Sequence, residues 1–305
     1  MARVLLLGAS GFLGRHIHQA LRQEAQVASV VCLGRKNRPA SDPWVQHDLS
    51  QGSLEALVSI IQQAQPDVVI NAVGSLVGSV LELVEANVLV VAKIIEAVAR
   101  AAPQARLVKL GSAGEYGVVE TGIAVNEDSP THPVSVYGIT RLASAQLVAL
   151  AKLEGRLDGV VLRVFNPIGA GLPAENMLGR AASQMRQARK QGRDYIEMGP
   201  LGAYRDFVDV RDVARAVVKA ALAAPLEAPI LNVGSGQAVC NRELVQLLAA
   251  TAGFQGQILE ANPAPARSAS VNWIQADISR IRQTLGWEPI YSLKDSVEYL
   301  WQAES

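Results

Sequence analysis

The first forty residues alternate between short apolar runs and helical spacing. Residues 4–7 are apolar and bounded by glycine, which predicts a strand buried on both faces of a parallel sheet. Phe12, Leu13, Ile17 and Leu21 then recur at helical period, and residues 27–33 read as a second strand. The same rhythm continues with strands expected at 45–48, 67–72, 107–110 and 160–165. Helices are expected at 81–101, stopped by Pro103, from Tyr137 to about residue 153, and at 178–191. Alternating strands and helices without an internal repeat predict an α/β fold, a Rossmann-like doubly wound parallel sheet. Ligands of such sheets bind beyond the carboxyl ends of the strands. Gly8, Asn71 with Ala72, and Ser112 all fall there.

Between the first strand and helix stands Gly8-Ala9-Ser10-Gly11-Phe12-Leu13-Gly14. In this context the three glycines have distinct duties: a tight turn at Gly8, close approach of a pyrophosphate at Gly11, and close helix–strand packing at Gly14. The free N–H groups at the helix start then favour phosphate, so the segment is a candidate dinucleotide site. A glycine-rich turn that binds nothing is the alternative. Twenty residues after Gly14, where an NAD-binding chain carries a carboxylate for the ribose hydroxyls, stands Gly34, followed by Arg35, Lys36 and Arg38. Cations without a carboxylate favour NADP(H) over NAD(H), although the same residues would also make a solvated loop. Asp48 and Leu49 are placed at the adenine edge, with a helix-capping role for Asp48 as the alternative.

Composition narrows the function. Half of the 305 residues are hydrophobic and net charge is zero, which fits a globular chain and argues against nucleic acid as a partner. No run is long enough to span a bilayer, and none resembles a signal-peptide core. Cys32 and Cys240 lie in or beside apolar stretches and are expected as buried thiols in a reducing cytoplasm. The four histidines lack the companions of a metal site, so no metal is expected.

Residues 113–136 form a long irregular segment that ends at Tyr137-Gly138-Ile139-Thr140-Arg141. Ser112 at a strand end, Tyr137 opening a helix and Arg141 one turn later together resemble the catalytic group of the short-chain dehydrogenases/reductases. Gly8-Gly11-Gly14, the 163–167 run Arg-Val-Phe-Asn-Pro, the 112–117 run Ser-Ala-Gly-Glu-Tyr-Gly, the 204–212 run Tyr-Arg-Asp-Phe-Val-Asp-Val-Arg-Asp and Asn232-Val233-Gly234-Ser235-Gly236 extend the likeness along the chain. They resemble the extended, epimerase/dehydratase branch, and within it the reductases of nucleoside-diphosphate 4-keto-6-deoxyhexoses.

The resemblance implies an NAD(P)-dependent oxidoreductase that transfers hydride to the 4-keto group of a nucleotide sugar. Tyr137 is then the proton donor, Ser112 a hydrogen-bond donor to the same oxygen, and Arg141 the cation that favours phenolate. The family has lysine where Arg141 stands; arginine keeps the charge and its fork could reach two ribose hydroxyls. Asn166 and Pro167 are implied beside the nicotinamide. Glu115, Asn166, Arg205 and Arg267 are implied toward the substrate, the two arginines on its diphosphate. The sugar dehydratases of the branch carry an Asp-Glu pair where this chain has Ala113-Gly114, which argues against dehydration.

A dinucleotide-binding domain is expected over 1–165, with 204–233 returning to it, and a smaller substrate domain over 166–203 and 234–305. The family also implies a homodimer through the 81–101 helix and the one opened by Tyr137. Three rival readings remain open: an epimerase of the same branch, a ketoreductase on a natural-product scaffold, and a non-catalytic NADP-binding regulator.

Overall fold

A computed structural model describes residues 1–35, 42–263 and 270–302. Lys36 and Arg38 of the cationic run, and Arg267, lie outside the described residues.

Seven strands, β1 (Ala2–Leu7), β2 (Val27–Gly34), β3 (Trp44–Gln46), β4 (Val68–Asn71), β5 (Arg106–Ser112), β6 (Asp158–Val164) and β7 (Ile230–Val233), form one sheet. Their spatial order is β7-β6-β5-β4-β1-β2-β3 and every pairing is parallel. The order reverses between β1 and β4, which opens a crevice at the carboxyl ends of the strands. Leu5, Leu6 and Leu7 of β1 are fully buried because helices cover both faces. α1 (Phe12–Gln23) lies on one face; α2 (Leu54–Ala64), α4 (Val90–Ala101) and α5 (Val136–Leu153) pack on the other.

The predicted 81–101 helix is a continuous run of three segments. α3 (Val80–Val84) begins at a capping box of Ser79 and Glu82, and a π-helical stretch, Glu85–Leu89, joins it to α4. The wider turn carries Asn87 inward, where its amide accepts from Ser75 N, donates to Ser75 O and donates to Thr140 Oγ1. The irregular 113–136 segment holds a 3₁₀ turn, Ala113–Glu115, and the short strand Ala124–Val125.

α6 (Met177–Gln191), α8 (Asn241–Ala252) and α10 (Leu293–Gln302) build a separate apolar cluster with Ile196, Met198 and Phe207. Of the 204–233 segment, α7 (Val210–Leu222) packs on α1, and β7 joins the large sheet. Tyr204–Asp209 instead pairs with Asn166–Ile168 and Ala238–Cys240 in a three-stranded sheet. Asp209 caps α7, and buried Asp212 accepts from Ile290 N, Tyr291 N and Arg215, so both carboxylates serve the framework. α9 (Ser279–Leu285) lies against β7. Among the described residues no helix is long and apolar enough to cross a membrane.

Candidate active site

The glycine turn adopts the geometry its spacing implies. Gly8 has φ +82°, and a Cβ at Gly14 would lie 2.0 Å from the Gly8 carbonyl oxygen, so the helix start touches the strand end. α1 has no side-chain cap and no acidic residue in its first turn, which leaves its N–H groups and dipole facing the crevice. These features fit a dinucleotide pyrophosphate. Ser10 is exposed beside the turn, Phe12 packs edge-on to His16, and Leu13 lines the main cavity. Arg35 is exposed at the end of β2. Asp48 Oδ1 accepts from Ser50 N, closing a turn that buries Leu49, while Ser53 caps α2. Lys93 Nζ donates to Leu49 O and Gly52 O at 2.8 and 2.6 Å, a tie to α4 with no trace in the motif pattern. Asn71 is buried and accepts from Val73 N; Ala72 follows it against the β1 turn.

Beyond the β5 end opens a cavity of about 600 Å³, lined by Ser112, Tyr137, Arg141, Asn166, Pro167, Arg205 and residues of α6. Such a volume suits a drug-sized ligand. Ser112 ends β5, and Ser135 Oγ caps α5 by accepting from Gly138 N, so Tyr137 stands in the helix's first turn. A point built at the Cβ position of Gly114 lies 3.3 Å from Tyr137 Cε1 and 3.4 Å from Ser112 Oγ, so ring and hydroxyl converge there. Ser112 Oγ accepts from Gly114 N, and neither its proton nor the Tyr137 hydroxyl has a partner among the described residues. The Arg141 guanidinium carbon lies 5.9 Å from the Tyr137 ring centre.

Arg141 is buried and turned back onto the fold. Its Nη2 donates to the carbonyls of Leu110 and Gly111, and Nη1 stands where a Cβ on Gly74 would be. One arm of the fork is thus spent on β5, while Nε is enclosed without a partner among the described residues. Beneath it, fully buried Lys109 of β5 donates to the Arg141 carbonyl at 3.2 Å, and burial together with that guanidinium brings its pKa down to about 7. The sequence signal for Lys109 was a lone cation inside the apolar run Leu107-Val108-Lys109-Leu110.

Glu115 does not face the cavity. It is fully buried; Oε1 accepts from Ser112 N and Oε2 from Arg163 Nε at 2.7 Å. A carboxylate with both oxygens engaged inside the protein offers nothing to a substrate, so its place is under the Ser112 turn. Arg163 also lies 4.7 Å over the Tyr116 ring, and burial pushes the Tyr116 phenol up to about 12. Tyr116 donates to Asn232 Oδ1 at 2.7 Å, which ties the turn after β5 to the 232–236 glycine motif.

On the opposite wall Asn166 Nδ2 donates to Asp206 O, and Asp206 accepts from Ser235 N, Gly236 N and Ala276 N. Arg205 is buried and donates only to the carbonyls of Tyr204 and Val271 among the described residues. With no carboxylate against it, burial brings its pKa down to about 10. Arg180 lines the same cavity from the first turns of α6, beside the uncapped helix start at Asn176. The sequence pattern gave no reason to separate Arg180 from its solvated neighbours on α6.

Comparisons with known proteins identify the family and the fold. The chain is 39% identical over 310 residues, covering all of it and 96% of the relative, to the dTDP-6-deoxy-L-talose 4-dehydrogenase (NAD(P)(+)) of Kitasatospora kifunensis. It is 27% identical to the GDP-6-deoxy-D-mannose reductase of Pseudomonas aeruginosa, over 97% of this chain and 94% of that one. The structure of RMD from Pseudomonas aeruginosa complexed with NADPH superposes with a TM-score of 0.84 at 25% identity, covering 99% and 98% of the two chains. MoeE5 in complex with UDP-glucuronic acid and NAD does so at 0.85 with 26% identity, over 99% and 98%. Residues 4–234 match the profile of the NAD dependent epimerase/dehydratase family, and the chain is a member of that family, an enzyme of the extended short-chain dehydrogenase/reductase type.

Proposed function

We propose that this enzyme interconverts the C4 hydroxyl and C4 ketone of a nucleoside-diphosphate 6-deoxyhexose, with NADP(H) preferred over NAD(H). The observation that carries the reading is the Tyr137 ring edge and the Ser112 hydroxyl converging at Gly114, with the buried Arg141 guanidinium 5.9 Å from the centre of that ring. The bound nicotinamide supplies or accepts the hydride. In the reductive direction Tyr137 Oη gives its proton to the C4 oxygen, and Ser112 Oγ–H hydrogen-bonds that oxygen as charge develops on it. In oxidation the phenolate takes the proton back. The Arg141 guanidinium stands beside this proton transfer, 5.9 Å from the Tyr137 ring centre, while its Nη2 remains on β5.

Gly8, Gly11 and Gly14 with the start of α1 hold the dinucleotide phosphates. Asp48 and Leu49 border the adenine, Arg35 the 2′-phosphate, and Asn71, Ala72, Asn166 and Pro167 the nicotinamide half. Arg205 is the substrate-diphosphate anchor: a buried guanidinium without a counter-ion among the described residues is completed by an anionic ligand. Arg267 lies outside the described residues and takes no part in this account. Exposed Leu81 of α3 and Ile139 and Leu153 of α5 support the homodimer reading, which light scattering tests.

The test is a panel of dTDP-, GDP- and UDP-linked 6-deoxyhexoses with NADP⁺ or NAD⁺, followed at 340 nm. One nucleotide sugar is expected to reduce the cofactor stoichiometrically. Turnover of a 4-hydroxy sugar into its 4-epimer without net NADPH would instead support the epimerase reading, which the 30% identity to an Azospirillum brasilense UDP-glucose 4-epimerase keeps in view.

A further inference from the structure

Gly34 ends β2 beside the glycine turn, at the point where the sequence lacks a ribose-directed carboxylate. It is buried, and a Cβ built on it would meet Trp44 Cζ2 at 2.8 Å and Cη2 at 3.5 Å. The Ser10 hydroxyl oxygen lies 3.5 Å from the same point. Trp44 reaches this place because β3 pairs in parallel with β2, Trp44 opposite Cys32 and Gln46 opposite Gly34. Its ring therefore lies over the strand end on the side of Ser10. The missing carboxylate is thus more than an absent side chain. A rigid aromatic edge fills the room where that side chain would begin.

The indole has a second property. Trp44 Nε1–H is enclosed and makes no hydrogen bond among the described residues. Enclosed donors are nearly always paired, and one left alone costs free energy until an acceptor arrives. The ring carbon next in line to the one bonded to Nε1, Cζ2, is the atom that meets the Gly34 Cβ point, and the exposed Ser10 hydroxyl lies close to the same point. Among the described residues nothing supplies that acceptor, and a phosphate bound at this strand end brings one.

We propose that Trp44 is a cofactor-specificity residue, its ring excluding a ribose-directed side chain at position 34 and its Nε1–H donating to the 2′-phosphate of NADP(H). The inference rests on the proposed dinucleotide site at Gly8, Gly11 and Gly14. A charged phosphate accepts more strongly than the 2′-hydroxyl that NAD(H) carries in its place, so the indole N–H discriminates between the two. Arg35 supplies charge from the exposed side; Trp44 supplies direction from the buried side.

Trp44→Phe keeps an aromatic ring over Gly34 and removes the donor. Calorimetric titration of the folded protein is expected to show the Kd for NADP⁺ rising about tenfold and that for NAD⁺ moving less than about twofold. A second measurement needs no substitution. The chain has four tryptophans, so ¹⁵N-tryptophan labelling gives four indole N–H signals, and NADP⁺ is expected to move one of them strongly downfield where NAD⁺ does not. If wild type prefers NADP⁺ but Trp44→Phe weakens both dinucleotides equally or neither, the role of Trp44 falls and the cofactor reading survives. That role falls equally if the four indole signals respond alike to both dinucleotides. If wild type binds NAD⁺ more tightly than NADP⁺, the inference and the cofactor preference fall together.

Discussion

Replacing Lys109 with methionine should make this protein more stable at neutral pH, although it deletes a hydrogen bond next to the active site. Lys109 is fully buried, makes no ion pair among the described residues, and is flanked by Arg141 and Arg163, while the nearby Glu115 is already paired with Arg163. Burial first, then the Arg141 charge, brings the ammonium down to about 7, against about 10.5 for a solvated lysine. The unfolded chain therefore binds one proton more than the native chain between pH 7 and pH 10.5. Folding gives up that proton at a cost of about 4 kcal/mol at pH 7, reached in full below pH 7 and fading as pH rises to 10.5. Lys109→Met escapes this cost, loses a hydrogen bond to the Arg141 carbonyl worth about 1 kcal/mol, and keeps the stem's packing. Urea unfolding at pH 7 should show a gain of about 2–3 kcal/mol, shrinking by about 1.4 kcal/mol per pH unit above pH 8. A variant that is less stable at pH 7, or a difference that stays flat with pH, would refute a neutral or depressed Lys109.

Glu115→Gln leaves Arg163 buried without its carboxylate and should cost about 3–5 kcal/mol in the same assay. Because Glu115 faces away from the cavity, KM for the nucleotide sugar should stay within about twofold in the fraction that folds. Arg205→Ala should raise that KM by about 10²-fold and change kcat much less, in steady-state assays with saturating NADPH. An unchanged KM would remove the diphosphate from that wall and favour a substrate without a nucleotide.

The architecture was legible because its signals are local. Apolar runs bounded by glycine gave the strands, and the three glycines of the first turn gave a backbone geometry that has few alternatives. Ser112, Tyr137 and Arg141 were found by their offsets from predicted strand and helix ends, and the fold brings them into one cavity. What the sequence concealed depends on direction. Glu115 reads as a loop carboxylate, yet the 3₁₀ turn points it under the strand toward Arg163, a partner 48 positions away. Arg141 sits at the expected offset, but only the packing of α5 on β5 shows its guanidinium held by strand carbonyls. Asn87 is hidden because a π-helical turn breaks the period by which a helix face is read. Trp44 and Gly34 are ten residues apart, and only β2–β3 register makes them neighbours.

Tyr137→Phe tests the central claim most directly, since it removes one oxygen and leaves the ring. Dinucleotide and nucleotide-sugar Kd values should remain within about twofold of wild type, while single-turnover oxidation or reduction at C4 slows by about 10²–10⁴-fold. A variant that binds both ligands and still turns over at the wild-type rate would contradict proton transfer through this hydroxyl.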